Sequence, residues 1–244
     1  MKIIRANNIP LISCDYESAS ELILTTRGTQ SPKVILHVNL LNYYILNKHP
    51  DLITFFKENG IFFFEGIALK VGSWLKGRGW NEDINGTDLY SILFDKFEKS
   101  GRSIFLLGSR EEAVHKTRIE LREKYSSIII KGVHSGYFSS DEEKEIINSV
   151  NISDTDVLVL GMGFENEIIF VRSNLDKLNV RTIWLVGGLF DFISGMKPRA
   201  PRVLRKLRLE WLFRLIIEPK SKFFRNFYVP VWYFLYFIFK EKQN

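Results

Sequence analysis

Apolar residues in this chain fall into two alternating patterns. Short, nearly unbroken apolar runs occur at 34–38 (VILHV), 61–64 (IFFF), 103–107 (SIFLL), 128–130 (III), 157–160 (VLVL) and 182–186 (TIWLV). Between and after them lie longer stretches, 40–48, 88–99, 110–125, 141–150, 165–178 and 202–217, in which apolar positions recur every three or four residues. The short runs predict buried strands and the long ones amphipathic helices. Start signals support two of the helices. Thr87-Asp88 precedes one, and Ser139-Ser140 leads into Asp141-Glu142-Glu143, which suits a helix N-terminus. Alternating strands and helices, with strands apolar on both sides, predict an α/β, Rossmann-like fold. Its sheet is mainly parallel and carries helices on both faces.

Ligands of such sheets bind beyond the carboxyl ends of the strands. That rule selects Asn39, Glu65-Gly66, Gly108-Ser109, the stretch Gly132 to Phe138, Gly161-Met162-Gly163, and Gly187-Gly188 with Asp191. Glu65 follows an apolar strand, and partial desolvation there raises a carboxyl pKa and suits it to general base work. The plainer reading is a solvated loop acid. His37 lies inside VILHV and reads as a core histidine before it reads as a ligand. Gly161-Met-Gly163 resembles a dinucleotide fingerprint without its third glycine, so backbone binding of a nucleotide fits and hydride transfer does not. No His, Cys and acid cluster has metal-ligand spacing, and Asp154-x-Asp156 reads as a turn or cap. There is no nucleophile elbow and no Gly-Lys-Ser/Thr phosphate loop.

Charge divides the chain. Residues 195–244 carry 12 Lys or Arg against 3 Asp or Glu, a net +9 in a chain whose total is +6. We therefore expect a domain at 1–194 and a basic, amphipathic, helical appendage at 195–244. Arg199, Arg202, Arg205, Lys206, Arg208 and Arg214 suit phosphates, although an amphipathic surface helix would carry the same spacing. Charge alone leaves nucleic acid and membrane phosphates both open. Cys14 is the single cysteine, so no internal disulfide forms, which fits a reducing compartment. The N-terminus does not read as a signal peptide. The apolar run 227–239 (FYVPVWYFLYFIF) is the longest. As a helix it would span roughly 20 Å, short of a ~30 Å hydrocarbon core. It predicts a segment that lies on a membrane or docks into a partner.

Taken in order, several stretches resemble the WecG/TagA/CpsF family of bacterial glycosyltransferases (glycosyltransferase family 26). They are Asn39, Gly86-Thr87-Asp88, FLLG at 105–108, Gly136-Tyr137-Phe138, Val159 to Gly163 followed by Glu167, and a long C-terminal series. That series runs Gly187-Gly188, Phe190-Asp191, Gly195, Arg199-Ala200-Pro201, Leu209-Glu210-Trp211, Arg214-Leu215 and Glu218-Pro219. The resemblance covers roughly residues 33–225. It implies inverting transfer of a sugar from a UDP-sugar donor to a polyprenyl-diphosphate-linked saccharide in cell-surface polysaccharide assembly. The enzyme would be peripheral on the inner, cytoplasmic face of the membrane, with no required cofactor or metal and no nucleic-acid partner. Homo-oligomer formation stays open.

The implied site has Glu65, Asn39 and Arg214 as catalytic residues, Glu65 being the base. Gly108, Gly136, Tyr137, Gly161, Gly163, Asn166, Gly188 and Asp191 would hold the nucleotide-sugar. Arg199, Arg202, Arg205 and Arg208 would meet the lipid diphosphate and an anionic membrane surface. Four positions depart from the family's usual residues. Glu65 stands for Asp, His37 for Thr, Asp83 for Arg and Asn166 for Gln. The other classes considered are a non-catalytic UDP-sugar or lipid-diphosphate binding protein, and an α/β methyltransferase.

Overall fold

Asn7 and Asn8 take backbone φ of 46° and 69°. Two consecutive left-handed residues make the tight turn that matches strand twist. The chain therefore reverses between β1 (Lys2–Ala6) and β2 (Ile9–Ser13), which pair antiparallel. Neither strand is among the short apolar runs that predicted the sheet. The structure, a computed structural model, describes residues 1–25, 31–79, 81–201, 203–204, 210–217 and 228–239.

The expected parallel strands follow: β3 (Lys33–Val38), β4 (Gly60–Phe64), β5 (Ser103–Gly108), β6 (Ile129–His134), β7 (Val157–Gly161) and β8 (Thr182–Leu185). One sheet holds them in the order β1-β2-β4-β3-β8-β7-β5-β6, parallel except for the first pair. β6 extends beyond the expected 128–130, so Gly132 lies in a strand and not in a loop. A side chain there would strike the Phe105 ring, its Cβ lying 2.3 Å from the nearest ring atom.

Side chains alternate between the two faces of the sheet. Val34, Leu36, Phe62, Phe64, Phe105, Leu107, Leu158, Leu160, Ile183 and Leu185 enter one core cluster. Ile35, Phe63, Ile104, Leu106, Val157, Val159 and Trp184 enter the other. The first face is covered by α2 (Leu40–Lys48), α3 (Pro50–Phe56), α4 (Ile67–Leu75), α7 (Ser140–Ile152) and α8 (Phe164–Asn174). The second is covered by α1 (Tyr16–Thr25), α5 (Gly86–Ser100), α6 (Glu111–Lys124) and α9 (Leu189–Ile193). Helix α7 starts with the expected Ser139 and forms a reciprocal capping box with Glu142. The stretch expected as one helix at 165–178 ends at Asn174 and finishes as a 3-10 turn over Leu175–Lys177.

Of the expected 202–217 helix, Val203, Leu204 and the Glu210–Ile217 helix are described. Arg202, Arg205 and Arg208 lie outside the described residues, as does the side chain of Arg214. The aromatic run forms a helix, Val229–Phe239, that docks on its own chain. Trp232 meets Tyr44 edge-on at 4.7 Å, Tyr233 meets Tyr43 at 5.7 Å, and the Tyr236 hydroxyl donates to Asn47 at 3.2 Å. Gly72 on α4 leaves room for this helix, because a Cβ there would sit 2.0 Å from the Tyr233 oxygen. The opposite side exposes Val231, Phe234 and Leu235. Among the described residues no helix is long and apolar enough to cross a membrane.

Candidate active site

From β4 to β6 the strand ends lie side by side as Glu65, Asn39, Gly187, Met162, Ser109 and Ser135. The chain leaves β3 and β7 toward one face, through α2 and α8. It leaves β8 and β5 toward the other, through α9 and α6. Neighbouring strands whose connections depart to opposite faces leave a crevice at their carboxyl ends. Of the expected site residues, Glu65, Asn39, Gly108, Gly136, Tyr137, Gly161, Gly163, Asn166, Gly188 and Asp191 lie in or beside these strand-end loops.

Glu65 is half-buried, and its N–H donates to the Val38 carbonyl at 3.1 Å, continuing the β3–β4 ladder. Asn39 caps α2, its Oδ1 accepting from the Asn42 N–H at 3.1 Å. Capping satisfies an otherwise orphaned helix N–H, a role the sequence reading had not assigned to it. His37 is buried and accepts from the Trp184 indole N–H at 3.0 Å. Burial pushes its pKa down to about 4, so it is neutral and structural, as its place in an apolar strand suggested. Asp83 is buried against Lys70, with Nζ to Oδ1 at 3.0 Å, and its other oxygen faces the Gly66 N–H at 3.4 Å. The sequence showed neither this partner nor its burial. Lys70 and Asp83 lie 13 residues apart, at no helical or strand spacing.

The glycines divide by what surrounds them. A Cβ on Gly108 would lie 2.4 Å from the Gly161 backbone. One on Gly136 would lie 2.8 Å from Gly108, and one on Gly161 2.6 Å from the Phe190 ring. These three permit close packing of strand ends. Gly163, Gly187 and Gly188 have no atom within 4 Å of an added Cβ, so they border open space. Glu167, in the first turn of α8, is 1% exposed and takes two backbone N–H groups on Oε1. They come from Met162 at 3.1 Å and Gly187 at 2.7 Å. Burial pushes its pKa up to about 8, against the opposing pull of the Gly187, Met162 and Gly163 N–H groups.

Asp191 accepts from the Ser109 hydroxyl at 2.5 Å and pairs with Lys197 at 3.2 Å. Ser109 itself sits at φ 54° and accepts from the Gly136 N–H at 2.9 Å. Thus the ends of β5, β6 and α9 form one polar network. Tyr137 projects outward, 74% exposed. Asn166 is exposed and donates to the Met162 carbonyl at 3.2 Å.

With this edge in view, comparison with known families is decisive: the model of the glycosyl transferase WecG/TagA/CpsF family matches residues 4–244. The chain belongs to that family. It is a family of glycosyltransferases involved in cell-surface polysaccharide biosynthesis. The match reaches from the β1–β2 hairpin to the docked C-terminal helix, beyond both ends of the 33–225 span that carried the resemblance. Two of the family elements meet in space in this glycosyltransferase. Arg199, of Arg199-Ala200-Pro201, pairs with Asp88, of Gly86-Thr87-Asp88. Arg199 is therefore engaged by a carboxylate and not presented freely to a lipid phosphate. Among the described residues no group of three His, Cys, Asp or Glu could hold a metal ion. Asp154, at φ 49°, and Asp156 lie in the expected turn before β7, at the amino ends of the strands. There Asp156 pairs with Arg102 and Arg181 and accepts from Ser103.

Proposed function

We propose that this glycosyltransferase uses a UDP-sugar donor and a polyprenyl-diphosphate-linked saccharide acceptor, and that it inverts the anomeric centre. Carrying this reading is the neighbouring of Glu65 and Asn39 at the ends of β4 and β3, beside the open glycine loops after β7 and β8. In an inverting displacement the acceptor hydroxyl oxygen attacks the anomeric carbon as its proton passes to a carboxylate, and the bond from that carbon to the UDP oxygen breaks. Glu65 is the base in this scheme, and Asn39 orients the reacting sugar. UDP departs with the electron pair, and Arg214 meets its growing charge. Tyr137 offers a flat surface to the base, and the Ser109–Asp191–Lys197 network supplies polar partners to the nucleotide. Residues 195–244 face the lipid diphosphate at the inner surface of the cytoplasmic membrane.

The test is a panel of UDP-sugars incubated with lipid extract from cells that make the protein, with product and UDP read by mass spectrometry. A Glu65→Gln variant run beside it should lose at least ~100-fold in turnover while UDP binding stays unchanged. Full turnover in that variant removes Glu65 from the base role. UDP binding without any product across the panel would mark a binding protein instead.

A further inference from the structure

The parallel ladder between β7 and β8 closes with the Val186 N–H donating to the Leu160 carbonyl at 2.8 Å. The next N–H along, that of Gly187, leaves the ladder and donates to Glu167 Oε1 at 2.7 Å. The same oxygen takes the Met162 N–H at 3.1 Å. Glu167 is itself anchored, since its N–H donates to the Gly163 carbonyl at 2.9 Å. One side-chain atom thus joins the loop after β7 to the loop after β8. These two loops carry Gly163, Gly187 and Gly188, the glycines that border open space. Their separation sets the width of the crevice there, and a buried hydrogen-bonded hub holds that width closely because unmaking it would strand polar groups.

We propose that Glu167 is a positioning residue whose Oε1, shared by the Met162 and Gly187 N–H groups, fixes the spacing of the two loops and so the affinity of the crevice for UDP. This rests on the donor assignment made above. The role needs an acceptor oxygen at the right reach and does not need a charge. Full burial favours the neutral acid at neutral pH. Glutamine has the same length and keeps an acceptor oxygen, whereas aspartate keeps the carboxyl but withdraws it by one methylene.

Calorimetry with UDP on the full chain tests this. Glu167→Gln should bind UDP within ~3-fold of wild type, while Glu167→Ala and Glu167→Asp should each lose at least ~10-fold, the equivalent of one lost hydrogen bond to a buried group. Leu121→Ala, a core truncation in the second cluster, controls for simple loss of stability. It should lower the melting temperature yet leave UDP affinity within ~2-fold, because additive sites far apart do not couple. If Glu167→Ala fails to fold, the comparison of aspartate with glutamine decides. Wild-type affinity in Glu167→Asp, or equal losses in Glu167→Gln and Glu167→Asp, overturns the proposal while leaving the donor assignment standing. Absence of UDP binding by the wild-type protein overturns the donor assignment first and this inference with it.

Discussion

The Lys70–Asp83 pair offers the sharpest perturbation of the β4 end. The two side chains are 11% and 1% exposed, and the charged atoms lie 3.0 Å apart. Desolvation opposes such a pair, so its net stabilisation is small, yet removing one member leaves the other charge buried without this counter-ion. Asp83→Asn and Lys70→Met should therefore each destabilise by about 3–5 kcal/mol. For a chain of this length that lowers the melting temperature by roughly 6–20 °C. The double variant, with neither charge left to bury, should recover most of the loss. The measurement is a double-mutant cycle by urea denaturation followed by circular dichroism, with a coupling energy of at least ~2 kcal/mol expected. Because Asp83 also faces the Gly66 N–H, the singles should disturb Glu65 next to it more than they disturb the nucleotide loops. Turnover should fall further than UDP affinity. A double variant as unstable as the sum of the two singles would show that the pair does not act as a unit, and the reasoning from burial would fail.

Other expectations follow from the same geometry. Tyr137→Ala should leave stability within ~0.5 kcal/mol, as for an exposed residue, and Asp191→Ala should weaken UDP binding by ~1–3 kcal/mol; unchanged affinity in both by calorimetry would remove the nucleotide from this edge. Stability should fall as pH rises from the ordinary carboxyl range through about 8, because native Glu167 keeps a proton that the unfolded chain releases. Glu167→Gln should flatten that decline in urea titrations at successive pH values. His37 acts with the opposite sign, its depressed pKa costing stability as pH falls from its ordinary range through about 4. Binding to anionic vesicles should weaken with salt but keep a salt-resistant remainder, and Phe234→Ser with Leu235→Ser should remove that remainder in sedimentation. Truncation would be a poorer probe, since deleting the Val229–Phe239 helix uncovers Tyr43 and Tyr44.

Strands buried on both faces announce themselves as short apolar runs, and for that reason β3, β4, β5, β7 and β8 were legible, while β6, an edge strand with Ile129 and Lys131 exposed, was legible only at its start. β1 and β2 are five-residue strands that mix polar residues and a proline with apolar ones, so their clearest signal is the Asn7-Asn8 turn. Helix α4 hid because apolar residues point outward as well as inward, with Val71, Trp74 and Leu75 exposed. That one side of the aromatic run docks on its own chain was not legible, because the helix it meets, α2, lies some 190 residues earlier. Glu65, Asn39 and Asp191 could be placed at strand-end loops because strand ends can be counted from the sequence. The contacts of Glu167 and Asp83 could not, because they depend on backbone amides and a lysine that only folding brings near. Glu167 had one available signal, an acid at a fixed offset after the Gly161-Met-Gly163 turn.

The occupied amides change what the glycine loops can do. In many α/β nucleotide sites, glycines after a strand free backbone N–H groups to bind phosphate at a helix N-terminus. Here the Met162 and Gly187 N–H groups are already satisfied by Glu167 inside the protein. An incoming diphosphate would have to displace a buried carboxyl to use them, and nothing would repair the loss of that hub. The loops therefore give the crevice its shape, and in the proposed reaction the charge of the donor and acceptor diphosphates would fall to side-chain cations. Those are what residues 195–244 supply, at a net +9. Arg199 is held by Asp88 and Lys197 by Asp191, so each cation arrives already paired with a carboxylate at the crevice edge. A phosphate entering beside either one competes with that carboxylate for the cation. The competition costs affinity but keeps the cations placed before substrate arrives, which is the geometry an electrostatic catalyst needs.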